Sequence, residues 1–159
     1  MAEIRRLHSD NWDLLRGVRL AALHEAPRAF GSTHERESAF TEADWRSRLI
    51  TSAWFVALVG DRPIGVAAGM HRDDVEYRRE LLSMWVDPDW RGAGVAAELV
   101  AAVQDWAKNS GANLLKLCVA DGNDRARRFY EKLGFTSTGM REPLANNPDV
   151  DVTEFTCPL

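Results

Sequence analysis

The chain has 159 residues, 45% hydrophobic and 28% charged, an ordinary globular balance long enough for one domain with its own core over residues 1–159. A formal net charge of −4 argues against nucleic acid or an anionic membrane as a partner. Met1-Ala-Glu-Ile-Arg-Arg-Leu7 has no apolar signal core and no run of about 18 apolar residues follows, so a cytoplasmic protein that spans no membrane is expected.

Residues 2–7 read as a first strand, with Ile4 and Leu7 facing inward. Ser9 or Asp10 caps a helix to about Glu25 whose apolar face is Trp12, Leu15, Val18 or Arg19, and Ala22. Ala26-Pro27 stops it, and residues 27–33 form a loop with one large aromatic, Phe30, beside Gly31. Thr41-Glu-Ala-Asp44 has the capping-box pattern and opens a helix to about Ile50. Residues 54–59 and 64–71 read as strands joined by the turn Gly60-Asp-Arg-Pro63, a hairpin. The charged stretch Arg72 to Arg79 reads as a solvated connection.

The segment from Glu80 to Val100 reads as strand, turn, glycine-rich loop and helix. Leu81 to Val86 is apolar and unbroken, and Asp87-Pro88 ends it because proline cannot donate to a ladder. In Arg91-Gly92-Ala93-Gly94-Val95-Ala96 two glycines precede a helix whose apolar positions are Ala96, Leu99, Val103 and Trp106. Such a loop lets the backbone approach a ligand and leaves the first helical N–H groups unpaired, an arrangement suited to phosphate. Backbone N–H groups would do the binding, so Gly92, Gly94 and Ala96 matter for the side-chain bulk they lack; Arg91 adds charge or anchors the turn. Two readings of these residues stand beside a third that rests on the resemblance given below: a turn with no ligand, or a dinucleotide fingerprint (Gly92-x-Gly94-x-x-Ala97). The dinucleotide motif should open a long alternating sheet, and too little chain follows. A Walker loop is excluded, since no Gly-Lys-Ser/Thr is present.

Past the helix, closed by Gly111, residues 114–119 form a strand. Ala126, Phe129, Tyr130 and Leu133 repeat at helical spacing, so a helix runs from about Asp124 to Leu133 and stops at Gly134. Arg125, Arg127 and Arg128 crowd its first turns against the helix dipole, so a nearby polyanion is one reading and a solvated basic face the other. Residues 135–140 and 150–155 form a final antiparallel pair around a loop at 141–149. Cys118 and Cys157 lie far apart, in no metal-ligand spacing, within apolar strand-like segments; they are expected as buried, reduced thiols, and no metal is expected. The order β-α-α-β-β-β-α-β-α-β-β describes a mixed α/β (α+β) layer structure with a mostly antiparallel sheet.

Two motifs resemble one family. Arg91-x-x-Gly94-x-Ala96 matches the Q/R-x-x-G-x-G/A signature of the GNAT N-acetyltransferases, preceded by Val86-Asp-Pro-x-x-Arg-Gly92. Asn123-x-x-Ala126-x-x-Phe129-Tyr130-x-x-x-Gly134-Phe135 resembles their second signature at the usual distance. The resemblance covers essentially the whole chain. It implies the acyl-CoA N-acyltransferase fold, in which the central strand and the strand at 114–119 run parallel and splay, and the pantetheine arm pairs with the exposed edge. It implies an acyltransferase that moves an acetyl group from acetyl-CoA to a primary amine of a small molecule or peptide by direct attack. Met84, Trp85 and Val86 would face the pantetheine, a backbone N–H such as that of Trp85 would polarise the thioester, and residues 91–96, Asn123 and Arg125 would hold the cofactor. Tyr130 would protonate the leaving thiolate, or else is a core aromatic. Glu80 would deprotonate the amine through water, or else is a strand-end charge, with Asp87, His71 and Glu76 in reserve. Phe30 and His34 would line the acceptor site, or else are a hydrophobic plug and a surface histidine. Asp73, Asp74 and Glu76 lean toward a cationic acceptor. Many relatives form homodimers. A non-catalytic acyl-CoA sensor would keep the loop but need no Tyr130; transfer of a longer acyl group and a dinucleotide oxidoreductase are further alternatives.

Overall fold

The computed structural model describes residues 2–72, 75–145 and 147–159. In chain order the elements are β1 (Glu3–Leu7), α1 (Trp12–Glu25), α2 (His34–Ser38), α3 (Glu42–Thr51), β2 (Ala53–Val59), β3 (Arg62–Met70), β4 (Arg78–Val86), α4 (Val95–Asn109), β5 (Leu114–Ala120), α5 (Asp124–Lys132), β6 (Thr136–Leu144) and β7 (Asn147–Pro158). Single 3-10 turns lie at Ser9–Asn11 and Pro88–Trp90. One sheet holds the strands in the order β1-β2-β3-β4-β5-β7-β6, and the expected mixed, mostly antiparallel architecture is the one that forms.

Among the described residues only β4 and β5 run parallel, and they pair briefly: Arg78 with Leu114, Arg79 with Leu115, Glu80 with Lys116. Beyond Glu80 the two strands diverge, which opens a fork in the middle of the sheet. Within the fork the β3–β4 register slips between Val66 and Ala68, and Ser83 sits at φ +59°. A bulge with a non-glycine residue in the left-handed region re-aims a strand, and here it does so where β4 has lost its β5 partner.

Helices cover the two faces unevenly. On one face α4 packs through Val95, Leu99, Val100 and Val103 against Leu81, Val86, Leu115 and Leu117. The approach is close: a Cβ on Gly69 of β3 would lie 2.5 Å from the Trp106 ring of α4. On the other face α1 and α3 pack Leu15, Val18, Leu23 and Trp45 against Val56, Val66 and Trp85. Both Val18 and Arg19 of α1 are buried. Arg19 can be, because Glu37 of α2, with no exposed surface, accepts 3.0 Å hydrogen bonds from its Nε and Nη2. Arg48 of α3 donates a third bond to Glu37 at 2.6 Å.

This cluster makes an acid-sensitive joint between three helices. Burial by itself raises the Glu37 carboxyl, but the Arg19 bond and charge, then the Arg48 and Ser32 bonds, hold it at about 2 against an ordinary 4.5. A depressed carboxyl contributes stability that is complete above its unfolded value and is lost as pH falls through the folded one. Unfolding by urea should therefore show about 3 kcal/mol draining away between pH 5 and 2 in the wild type and missing from Glu37→Gln. Parallel pH curves for the two proteins would remove Glu37 as the cause.

Three segments differ from the expected pattern. Residues 34–38, which the sequence pattern leaves unassigned, form α2, whose cap is the Thr33 hydroxyl accepting from Arg36 N. The charged stretch before Glu80 is partly strand: β4 begins at Arg78, and Arg79 is buried with its guanidinium on the carbonyls of Glu76, Arg78 and Ser110. Asp73 and Asp74 lie outside the described residues. The expected loop at 141–149 is mostly hairpin, since β6 runs to Leu144 and β7 starts at Asn147. Pro143 fits because β6 is an edge strand and its missing N–H is not needed by a neighbour.

Candidate functional site

The fork carries a cavity of about 470 Å³. One wall is the chain after α1, with Ala26, Ala29 and Phe30; the floor is Met84, Trp85 and Val86 of β4; the far wall is the loop before α4 and the start of α5. Local sequence explains the far wall. Gly92 and Gly94 adopt φ +84° and +85°, conformations that cost an L side chain roughly 1–2 kcal/mol. Gly94 is the N-cap of α4 and offers no side-chain cap, so the first N–H groups of a 15-residue helix face the cavity without a side-chain acceptor. A Cβ on either glycine would meet no atom within 4 Å. The room there is open, and an anion fits it.

Arg91 resolves toward anchoring. Its Nε donates to Val86 O at 3.0 Å and its Nη2 to Glu25 Oε1 at 2.6 Å. The same Glu25 oxygen accepts the Trp85 indole N–H at 2.9 Å. Asp87 is also structural: it caps the turn through Asp89 N and pairs with Arg62 at 3.3 Å. Of the expected cofactor residues, Met84, Trp85, Val86, Arg91, Gly92, Gly94, Val95, Ala96, Asn123, Arg125 and Tyr130 line the cavity, and Ala93 belongs to the same loop without lining it. Asn123 also serves as the cap of α5, its Oδ1 accepting from Ala126 N at 3.2 Å. Arg125 is the arginine of the three that reaches the cavity; Arg127 instead pairs with Asp124 and Glu131 along an exposed face, and Arg128 is exposed.

Tyr130 is both a packed aromatic and a part of the cavity wall. It is buried, edge-on to Phe129 and Phe135 at 5.0 and 5.7 Å, and it lines the cavity. Burial pushes its phenol above the ordinary tyrosine range, so it is a protonated donor at neutral pH. Phe30 is buried on the opposite wall under the Arg19 guanidinium, 4.8 Å from its ring centroid. His34 is exposed at the start of α2, its ring 5.9 Å from that of His24 and outside the cavity.

Glu80 lies in a second, smaller cavity of about 260 Å³ with Arg72, Arg78, Arg79, Lys116 and Glu142. Its carboxylate is buried between Arg72, at 3.0 Å, and Lys116, at 3.4 Å, and Lys116 reaches on to Glu154. Leu81, Leu115 and Leu117 belong to the α4-side core, so by strand alternation Glu80, Lys116 and Cys118 face the other side of the sheet. That corrects the expectation for Cys118, which is exposed; Cys157 is buried as expected. Desolvation first, and the Glu80 charge next, push the Cys118 thiol up to about 11 against the pull of Lys116, so it is not an activated nucleophile. His71 and Glu76 face neither cavity: His71 Nε2 lies 3.1 Å from Val75 O. Among the described residues no group of three or more His, Cys, Asp or Glu side chains could hold a metal ion.

Sequence reasoning missed Glu25, Trp90 and Phe129 as parts of this site. Glu25 left a trace: a carboxylate in the last position of a helix opposes the dipole and calls for a tertiary partner.

Comparison with known proteins gives a consistent result. A model of the Acetyltransferase (GNAT) family matches residues 19–135. An uncharacterized N-acetyltransferase of Methanocaldococcus jannaschii is 32% identical over 95 residues, which span 57% of this chain and 42% of that protein. The crystal structure of an acetyltransferase of GNAT family from Streptococcus pneumoniae superposes with a TM-score of 0.82 at 17% identity, covering 100% of this chain and 99% of that one. An aminoglycoside 6'-N-acetyltransferase complexed with coenzyme A shares the fold with a TM-score of 0.74 at 16% identity, over 98% and 96% of the two chains.

Proposed function

The chain belongs to the GNAT acetyltransferase family, and from that membership we propose that it moves an acetyl group from acetyl-CoA to a primary amine within a ternary complex. The observation that carries the proposal is the cavity itself, which joins the uncapped start of α4 to Tyr130 across the unpaired edge of β4. Coenzyme A has a matching order of parts. Its diphosphate takes the N–H groups of residues 92–96, with Arg125 adding charge from α5. Its pantetheine amides take the β4 edge that β5 leaves open, as an added strand would. The thioester then lies over residues 84–86, where a backbone N–H receives the developing oxyanion.

The reaction is a direct displacement. The neutral amine nitrogen forms a bond to the acetyl carbon, the carbonyl oxygen takes the negative charge, and collapse breaks the carbon–sulfur bond. The nitrogen gives up one proton and the leaving sulfur gains one, so amide and free thiol balance the equation. Tyr130 donates a hydrogen bond to the departing sulfur, whose net proton comes through solvent from the one the amine releases. Glu80, held between Arg72 and Lys116, takes the amine proton through water. The thiol of Cys118, pushed up to about 11, is a poor nucleophile, which favours direct attack over an acyl-cysteine. Phe30 forms the acceptor-side wall. Two free cysteines fit a reducing compartment, and we place the protein in the cytoplasm.

Calorimetric titration tests this reading. Acetyl-CoA should bind with a stoichiometry of one per chain, a nicotinamide dinucleotide should not, and an amine panel should then release free thiol. Folded protein that ignores acetyl-CoA, or binds the dinucleotide in its place, would overturn the proposal.

A further inference from the structure

Glu25 holds two groups with one oxygen: the Trp85 indole at 2.9 Å and the Arg91 guanidinium at 2.6 Å. Trp85 belongs to the β4 floor, and Arg91 opens the glycine loop and also grips Val86 O. Directly after Glu25 the chain leaves α1 and supplies Ala26, Ala29 and Phe30 to the opposite wall. That wall has a second hold, because Phe30 lies under Arg19 and Arg19 is locked by buried Glu37. Helix stability gives no reason for a carboxylate at position 25, where it faces the negative end of the α1 dipole. Its tertiary contacts do.

We propose that Glu25 is a positioning residue that couples filling of the glycine loop to the seating of residues 26–31. The inference rests on the reading that the loop holds coenzyme A. A ligand on the N–H groups of residues 92–96 favours the loop shape in which Arg91 faces Glu25. That shape holds the end of α1, and with it the start of the acceptor-side wall. The same contacts are lost whenever the 26–31 segment opens locally, so the ligand makes such opening rarer at a distance from where it binds. Coupling of this kind is reciprocal: a seated wall also strengthens coenzyme binding.

Amide hydrogen exchange with and without saturating coenzyme A reads the coupling without needing the acceptor. In the wild type, exchange should slow over both 92–97 and 26–31. In Glu25→Ala the slowing over 92–97 should persist while that over 26–31 falls by about tenfold. Arg91→Gln breaks the same bond from its other end and should give the same separation, which guards against a local folding defect in either protein. Glu25→Gln, still able to accept from Trp85, should fall between. Undiminished slowing over 26–31 in both Glu25→Ala and Arg91→Gln would mean direct contact with the coenzyme; it would overturn the coupling and leave the coenzyme site standing. Absence of slowing over 92–97 in the wild type would overturn the site reading, and the coupling with it.

Discussion

Gly94→Glu should weaken acetyl-CoA binding by more than about a hundredfold, a loss of about 3 kcal/mol, while the protein stays folded. Two effects combine. Gly94 sits at φ +85°, where any L side chain is strained, and that strain falls on the free protein as well as the complex. The charge favours the free protein and opposes the complex. A carboxylate at the N-cap is welcome to the α4 dipole and takes the N–H groups the diphosphate would use. It also repels the diphosphate, at about 4 kcal/mol for unit charges about 4 Å apart in an effective dielectric of about 20. Gly94→Ala separates the two, since it carries the strain without the charge and should lose far less affinity. Calorimetry on the three proteins decides it; a Glu variant that binds as Gly94→Ala does would mean that the diphosphate lies elsewhere.

Tyr130→Phe should lower kcat by about a hundredfold to a thousandfold and leave acetyl-CoA affinity within a few-fold of the wild type. The substitution keeps the ring that packs edge-on against Phe129 and Phe135 and removes only the hydroxyl. Packing and chemistry are thus tested apart. Because burial raises the phenol above its usual range, it is a weaker acid than a thiol of about 8.5. Its part is then to hydrogen-bond the sulfur as charge develops, with the net proton supplied from the amine. Single-turnover thiol release measured beside equilibrium binding separates the chemical step from affinity. A variant with unchanged kcat would leave Tyr130 as a core aromatic and assign the proton to solvent.

The parts of the site that were legible in the sequence are those encoded by neighbours. Gly92 and Gly94 announce an open helix start within four residues, and the spacing of Ala126, Phe129, Tyr130 and Leu133 announces one helix face. Both lie on the cavity wall, apart from Leu133. Signals went wrong where local composition was outweighed by position in the sheet. Pro143 reads as a breaker, yet it lies in the edge strand β6, and Asn147 and Pro148 open β7 ahead of the stretch that pairs with β5. The charges of residues 72–79 read as solvated, yet Arg79 is buried because three backbone carbonyls satisfy it. Cys118 read as buried because β5 is apolar overall, but alternation assigns Leu117 and Val119 to the core and Cys118 to the open face.

By itself, the sequence determined the kind of fold and the presence of a glycine-opened helix start, since periodicity and glycine placement act over a few residues. Spacing likewise put Tyr130 on one face of α5 with Ala126 and Phe129. Only the tertiary structure decided which charges are used and how. Glu25 meets Trp85 and Arg91 across 60 and 66 positions of chain, and Glu80 meets Lys116 across a parallel pairing of strands. No local pattern records such meetings, because an ion pair depends on where packing of distant apolar faces brings two side chains, and the chain spells out those faces without the distances between them.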